Sequence, residues 1–249
     1  MKICIYHRRR YIALFIVFSM LFCAALSLLV FIGERNSQRF YKATELSADT
    51  DTPITVIIDP GHGGEDGGAV GVNGVLEKDL NLSIAKIICD TLRADGVNAV
   101  MTREDDTLLY DKNSDYHGKK KIQDLATRRK IAEKYENVLF ISIHMNAFPE
   151  GKYSGLQVYY SKNDASSQTL AESIQNTVKE KLTPSNNRSP KAAGDNIYLL
   201  DRLSCPAILV ECGFLSNPDE CQRLSDGNYQ KQLSLCISAS VMEYISVGT

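Results

Sequence analysis

Ile57-Ile58-Asp59-Pro60-Gly61-His62-Gly63-Gly64 joins an apolar run to a glycine-rich turn that carries a histidine. Val75-Leu76-Glu77-Lys78-Asp79 follows, with a glutamate just ahead of an amphipathic stretch. Thr55 to Ile58 is β-branched throughout, the composition of a strand buried on both faces of a parallel sheet. Asp79 is the expected N-cap of the next helix. Leu80, Ile84, Ile87, Ile88 and Leu92 recur at helical spacing, and Gly96 stands where a C′ glycine would end that helix. Strand, tight turn and helix in this order set an α/β reading for the rest of the chain.

Working outward, Asn98 to Thr102 reads as a second short strand. Arg103 to Ile122 is polar and holds Tyr110, Tyr116, His117 and Lys119-Lys120-Lys121. A loop of that length is either a solvated surface or a groove wall facing an anionic or sugar-bearing polymer. Asp124 is the expected cap of a second helix with Leu125, Arg128, Ile131 and Ala132. Val138 to Ile143 predicts a strand ending at His144-Met145-Asn146, and Gly155 to Tyr160 another. Leu170, Ile174, Val178 and Leu182 step by four along a third helix. Asn196 to Leu200 and Ala207 to Val210 are the last predicted strands, the latter ending at Glu211-Cys212-Gly213. A closing helix is expected over about Tyr229 to Ile245.

The fold class is therefore α/β: a single three-layer domain with a mostly parallel or mixed central sheet of about six strands, flanked by helices. In such sheets ligands bind beyond the carboxyl ends of strands. His62, His144 and Glu211 each fall at such an end.

Composition agrees with a packed domain and excludes some partners. At 249 residues, 44% apolar and 23% charged, the chain can bury a full core, and a net charge of −2 gives no reason to expect nucleic acid. Tyr11 to Ile32 is uncharged and apolar and follows Arg8-Arg9-Arg10. It is long enough to span a bilayer and too long for the apolar part of a signal peptide. Residues 1–10 are thus read as a cytoplasmic basic segment, 11–32 as a transmembrane signal anchor, 33–53 as a polar linker and 54–249 as the catalytic domain, extracytoplasmic by the positive-inside rule. A long cleaved signal peptide is the rival reading, and the N-terminus of the mature protein would separate the two. The seven cysteines form no CxxC pair and are read mainly as buried thiols, with a Cys221–Cys236 bridge as an unsupported alternative.

Two strand-end histidines and a carboxylate are the donor types of a catalytic zinc site, which takes three N/O ligands and leaves a fourth position open. Taken alone, His62 or His144 is more often a hydrogen-bonded structural histidine. Glu77 can equally be a helix-start carboxylate favoured by the macrodipole. Glu211 follows Ile208-Leu209-Val210, where a charge needs a partner or a cleft. It would be either a general base or half of a salt bridge to Arg103 or Arg128. Asp59 and Asn146 are placed to orient the histidines from behind.

Four segments together resemble the zinc-dependent N-acetylmuramoyl-L-alanine amidases of the amidase-3 type. They are Asp59-Pro60-Gly61-His62-Gly63-Gly64, Glu77-Lys78-Asp79 with Asn81-Leu82, Ser142-Ile143-His144-Met145-Asn146-Ala147, and Glu211-Cys212-Gly213-Phe214-Leu215-Ser216-Asn217-Pro218. Thr102-Arg103, Arg128 and Ser154-Gly155 also fit. The resemblance implies one zinc ion held by His62, Glu77 and His144, and Glu211 as catalytic acid/base. Cys212 departs from the pattern, where relatives carry an apolar or small residue.

The reaction it implies is cleavage of the amide between N-acetylmuramic acid and the L-alanine of the peptidoglycan stem peptide. Asp66-Gly67-Gly68-Ala69-Val70-Gly71 and the long polar loop look like the sporulation and germination subgroup, which prepares cortex glycan for muramic δ-lactam formation. A vegetative autolysin is the main rival. A binding module without catalysis and a zinc carboxypeptidase-like enzyme are the readings from other classes. The need for an activator protein is left open by the sequence.

Overall fold

The computed structural model describes residues 53–110 and 119–247. The predicted basic segment, the anchor, nearly all of the linker, and Tyr116 and His117 of the polar loop lie outside the described residues. Among the described residues, no helix is long and apolar enough to cross a membrane.

The chain runs β1 (Thr55–Pro60), α1 (Glu77–Ala94), β2 (Asn98–Met101), α2 (Lys120–Ala132), β3 (Val138–Asn146), β4 (Gln157–Tyr160), α3 (Ser166–Lys181), β5 (Lys191–Ala192), α4 (Tyr198–Arg202), β6 (Ala207–Phe214), α5 (Pro218–Leu224) and α6 (Gly227–Val247). The strands form one six-stranded sheet in the order β2-β1-β3-β6-β4-β5. Strands β1, β2, β3 and β6 are mutually parallel. β4 runs antiparallel to β6, and β5 is parallel to β4. The sheet is mixed and has the expected six strands.

Alternation along the strands builds two cores. Val56, Ile58, Leu139, Ile141, Ile208 and Val210 point to one face and meet Ile84 and Ile88 of α1, Ile174 of α3 and Ile237 of α6. Ile57, Phe140 and Leu209 point to the other and meet Ala132 of α2 with Leu199 and Leu200 of α4. The three layers follow from that period of two.

Several boundaries differ from expectation for physical reasons. Helix α1 begins at Glu77, not after Asp79, and its N-cap Leu76 makes no side-chain cap. Backbone carbonyls of the glycine loop do that work: the Glu77 N–H donates to Ala69 and the Lys78 N–H to Gly67, at 2.9 and 3.2 Å. Asp124 is not a cap either. Helix α2 extends back to Lys120, and Asp124 is buried within it, accepting from Arg128 Nε at 2.8 Å and the Leu109 N–H at 2.7 Å. Asn196 to Leu200 is not a strand: Leu199, Leu200 and Leu203 are buried from the short helix α4 and the turn after it. A short apolar run does not reveal its period, and the sixth strand is instead the two-residue β5. Helix α5 went unpredicted, although Asn217-Pro218 is its start signal: Asn217 Oδ1 accepts from the Asp219 and Glu220 N–H groups. Cys221 and Cys236 are free thiols, so the alternative of a bridge between them falls.

Candidate active site

The turn after β1 is an unusual piece of backbone. His62 has φ 61 and is the one non-glycine with positive φ among the described residues. A side chain is rarely held there unless its surroundings over-determine it. Two buried arginines do so by gripping successive carbonyls. Arg103 donates to the carbonyls of Pro60 and Gly61, both at 3.0 Å. Arg128 donates to those of Pro60 and His62, both at 2.7 Å. Arg128 is neutralised by Asp59 and Asp124 at 2.7 and 2.8 Å. This charge network fixes the direction in which His62 leaves the sheet.

Glu77 arrives from the first residue of α1 and lies 4% exposed beneath the turn. Its Oε2 accepts from the Ala69 N–H at 2.8 Å, and its Oε1 from the Met145 N–H at 3.0 Å. Oε1 is also 3.3 Å from His62 Nε2 and 2.9 Å from His144 Nδ1. His144 comes from the last third of β3, which continues to Asn146 through a bulge. Donor atoms of His62, Glu77 and His144 all lie within 4.8 Å of one another.

Two nitrogens and one carboxylate oxygen in this spacing suit a divalent cation such as zinc. A tetrahedron with bonds of about 2.0–2.1 Å has edges of about 3.3 Å, close to the two Glu77 separations. The residues present therefore fit the metal that the sequence resemblance implies.

Glycine is required where the donors meet. A Cβ on Gly61 would stand 2.2 Å from the His144 ring, and one on Gly68 (φ 67) 2.5 Å from Glu77 Oε2. Gly61→Ala should fold, because the turn has other anchors, but the His144 ring must tilt away. Zinc affinity is expected to fall about 10–100-fold, the range seen when ligand orientation is lost. Competition titration against a chromophoric chelator would measure it, and unchanged affinity would refute the contact.

Charge sets the protonation of these groups. Burial works against the Glu77 carboxylate, yet hydrogen bonds and charge from His144 and His62 hold it well below the usual carboxylate range. Burial lowers the His62 pKa, but Glu77 and Asp66 together raise it above the ordinary value. Glu211, in β6, pairs in register with His144. Burial pushes its pKa up to about 7, with His144 pulling it down and Glu77 adding to the rise. Its Oε2 is buried with no partner among the described residues. Neither Arg103 nor Arg128 reaches it, so the salt-bridge reading of Glu211 falls: both guanidiniums are engaged by the β1 turn and by Asp59 and Asp124.

This has a consequence for metal-free protein. Because the folded state raises the Glu211 pKa from 4.5 to about 7, its proton binds more tightly when folded. That contribution to stability is complete below about 4.5 and is lost as pH rises through about 7. In chelator-treated protein, Glu211→Gln should remove this decline, worth on the order of 1–3 kcal/mol. Thermal unfolding at pH 5 and pH 8 would check it, and parallel profiles for variant and parent would contradict it.

The second-rank partners differ from those expected. Asp59 is not behind a histidine: it accepts from Arg128 at 2.7 Å, and from Ser142 and Thr102, each at 2.6 Å. Among the described residues no hydrogen bond joins the Asn146 side chain to either histidine, and its backbone carbonyl accepts from the Leu215 N–H at 2.8 Å. The group beside His62 is Asp66, whose Oδ1 lies 3.0 Å from Nδ1, off the linear N–H direction. Its place four residues on, inside the glycine loop, was the available signal. Cys212 is buried with its side chain toward the helical face of the core, and burial pushes its thiol pKa far up. Its thiol faces away from the Glu211 side of the strand.

A His, Glu, His cluster that could hold a metal ion, beside a carboxylate with an unpartnered oxygen at the carboxyl ends of a mixed sheet, is a layout suited to hydrolysis. The chain belongs to the N-acetylmuramoyl-L-alanine amidase family Amidase_3, whose model matches residues 56–243. It is 37% identical over 191 residues to the germination-specific N-acetylmuramoyl-L-alanine amidase of Bacillus subtilis, covering 77% of this chain and 79% of that one. The structure of the CwlD amidase from Clostridioides difficile, in complex with the GerS lipoprotein, superposes with a TM-score of 0.73 at 38% identity, covering 78% of this chain and 98% of that one. The amidase AmiC2 of Nostoc punctiforme superposes with a TM-score of 0.66 at 34% identity, covering 77% and 97%. The chain is a hydrolase of the N-acetylmuramoyl-L-alanine amidase class.

Proposed function

We propose that this amidase uses one zinc ion, held by His62, Glu77 and His144, and that Glu211 is its acid/base in removing stem peptides from spore cortex glycan. The observation that carries the reading is Glu211 Oε2, buried without a hydrogen-bond partner among the described residues, beside three convergent donors. Zinc, when bound, supplies Lewis acidity that polarises the scissile carbonyl and acidifies a water in its open position. Glu211 takes a proton from the attacking water and delivers it to the nitrogen of the departing alanine as the C–N bond breaks. A pKa of about 7 suits a group that must both accept and return a proton near neutrality. Asp66 orients the His62 ring, and Arg103 with Arg128 holds its backbone.

The cortex substrate is supported by the likeness to the germination-specific Bacillus subtilis amidase. Cortex so treated is the precursor of muramic δ-lactam. A partner protein at the membrane is supported by the lipoprotein bound to the Clostridioides difficile relative, and an anchored, extracytoplasmic domain by the apolar Tyr11–Ile32 run. Digestion of purified wall, followed by mass spectrometry, should release intact stem peptides with a free N-terminal alanine. Release of single terminal residues would point to a carboxypeptidase. Loss of muramic δ-lactam from spores of a deletion strain would support the cortex role, and its persistence would favour a vegetative autolysin.

A further inference from the structure

A row of side chains leads away from the metal donors across the sheet. His144 pairs in register with Glu211, and Glu211 with Gln157 of the antiparallel strand β4. Residues paired in this way project from the same face. The row then continues to Arg188, whose Nη1 donates to Gln157 Oε1 at 2.5 Å. Gln157 is itself fixed, since its Nε2 donates to the Ser189 carbonyl at 2.5 Å.

Arg188 is held on every side but one. Its Nε donates to the Ser154 carbonyl at 3.2 Å, and its guanidinium lies 4.6 Å from the centre of the Phe214 ring. Nη2 makes no hydrogen bond among the described residues. Arg188 lines a cavity of about 400 Å³ together with Lys152, Arg223 and Glu220. Glu220 does not cancel Arg188. Its two oxygens accept from the Gly155 and Phe214 N–H groups, and Arg223 stands 3.6 Å away. Three cations against one occupied carboxylate leave the cavity positive. A guanidinium already stacked and half-bonded loses little freedom when it takes a planar anion.

The geometry points to this cavity as a subsite for an acidic peptide, with Arg188 binding a carboxylate of the residue that follows alanine in the departing stem peptide. The inference rests on the amidase reading. Glu211 protonates the alanine nitrogen, so the peptide leaves on the Glu211 side of the metal, along the row that ends at Arg188. Arg188 is a specificity residue in this arrangement, and it is near enough to act on the Glu211 charge.

The test measures binding of L-alanyl-D-glutamate and of its uncharged diamide to the full-length zinc-loaded protein, by calorimetry or ligand-observed magnetic resonance. The parent should bind the acid about tenfold more tightly than the diamide, the discrimination expected from one charged hydrogen bond. Arg188→Ala should bind both equally, and Arg188→Lys should recover part of the preference. Equal binding of the two peptides by the parent, which requires no variant to fold, would overturn the subsite. So would a full preference in Arg188→Ala. Wall digestion tests the amidase reading separately: peptide discrimination without wall cleavage would retire that reading, and wall cleavage without discrimination would retire the subsite.

Discussion

Glu211→Ala should reduce hydrolysis of purified peptidoglycan by about 10³-fold or more, the upper range for removing one general acid–base group, while zinc binding stays intact. The separation follows from the layout. The three proposed metal donors lie on the β1 turn, the start of α1 and the end of β3, and Glu211 alone comes from β6. Truncating it leaves every donor and its supporting bonds in place, and removes a carboxylate whose Oε2 is buried without a partner among the described residues. The variant should therefore be at least as stable as the parent at pH 8. Metal content by plasma emission and peptide release by mass spectrometry are the paired measurements. Substantial residual turnover would remove Glu211 from the chemistry, and loss of zinc would make it a ligand.

Arg128→Ala should destabilise the domain by about 3–5 kcal/mol, because removing one partner of a buried pair strands the rest. Arg128 is 1% exposed, as is Asp59, and Asp124 is 5% exposed. The substitution strips Asp59 and Asp124 of their shared cation and frees the carbonyl of His62, while that of Pro60 keeps only Arg103. For a domain of this size the melting temperature should fall by about 6–20 °C, at about 2–4 °C per kcal/mol. Zinc affinity should fall with it, because the left-handed conformation of His62 loses one of its two clamps. Arg128→Lys is expected to rescue little, since a single ammonium cannot span two carboxylates and two carbonyls. A loss below about 1 kcal/mol, typical of exposed pairs, would show that the network does not hold the turn.

The convergence of His62, Glu77, His144 and Glu211 was legible because each is a chemistry-bearing residue beside an apolar run, and a strand end is where an α/β sheet presents its ligands. Local pattern carried those positions. It misplaced Asp59 and missed Asp66, since which carboxylate faces an imidazole depends on the fold of the glycine loop. Arg103 and Arg128 were visible as charges, but their grip on the carbonyls of Pro60, Gly61 and His62 arises between segments distant in the chain. Asp79 and Asp124 looked like caps because the residue type is right. Competing partners, loop carbonyls in one case and Arg128 in the other, decided otherwise. Gln157 and Arg188 gave no local signal: their link to Glu211 exists only through the pairing of β4 with β6.

The reversal of β4, and of β5 with it, changes which connections border the catalytic cleft. Around β1, β3 and β6 the proposed metal donors and Glu211 stand on the β1 turn, the start of α1 and the strands β3 and β6 themselves. Around β4 and β5 the bordering segments enter the strands, and they carry none of those four residues. One half of the rim is thus committed to chemistry, and the other half is free to vary. Exchanging residues 183–190 between relatives should therefore retune which wall peptides are accepted and leave the hydrolytic step untouched, so that substrate range can diverge along a lineage without renegotiating the metal centre.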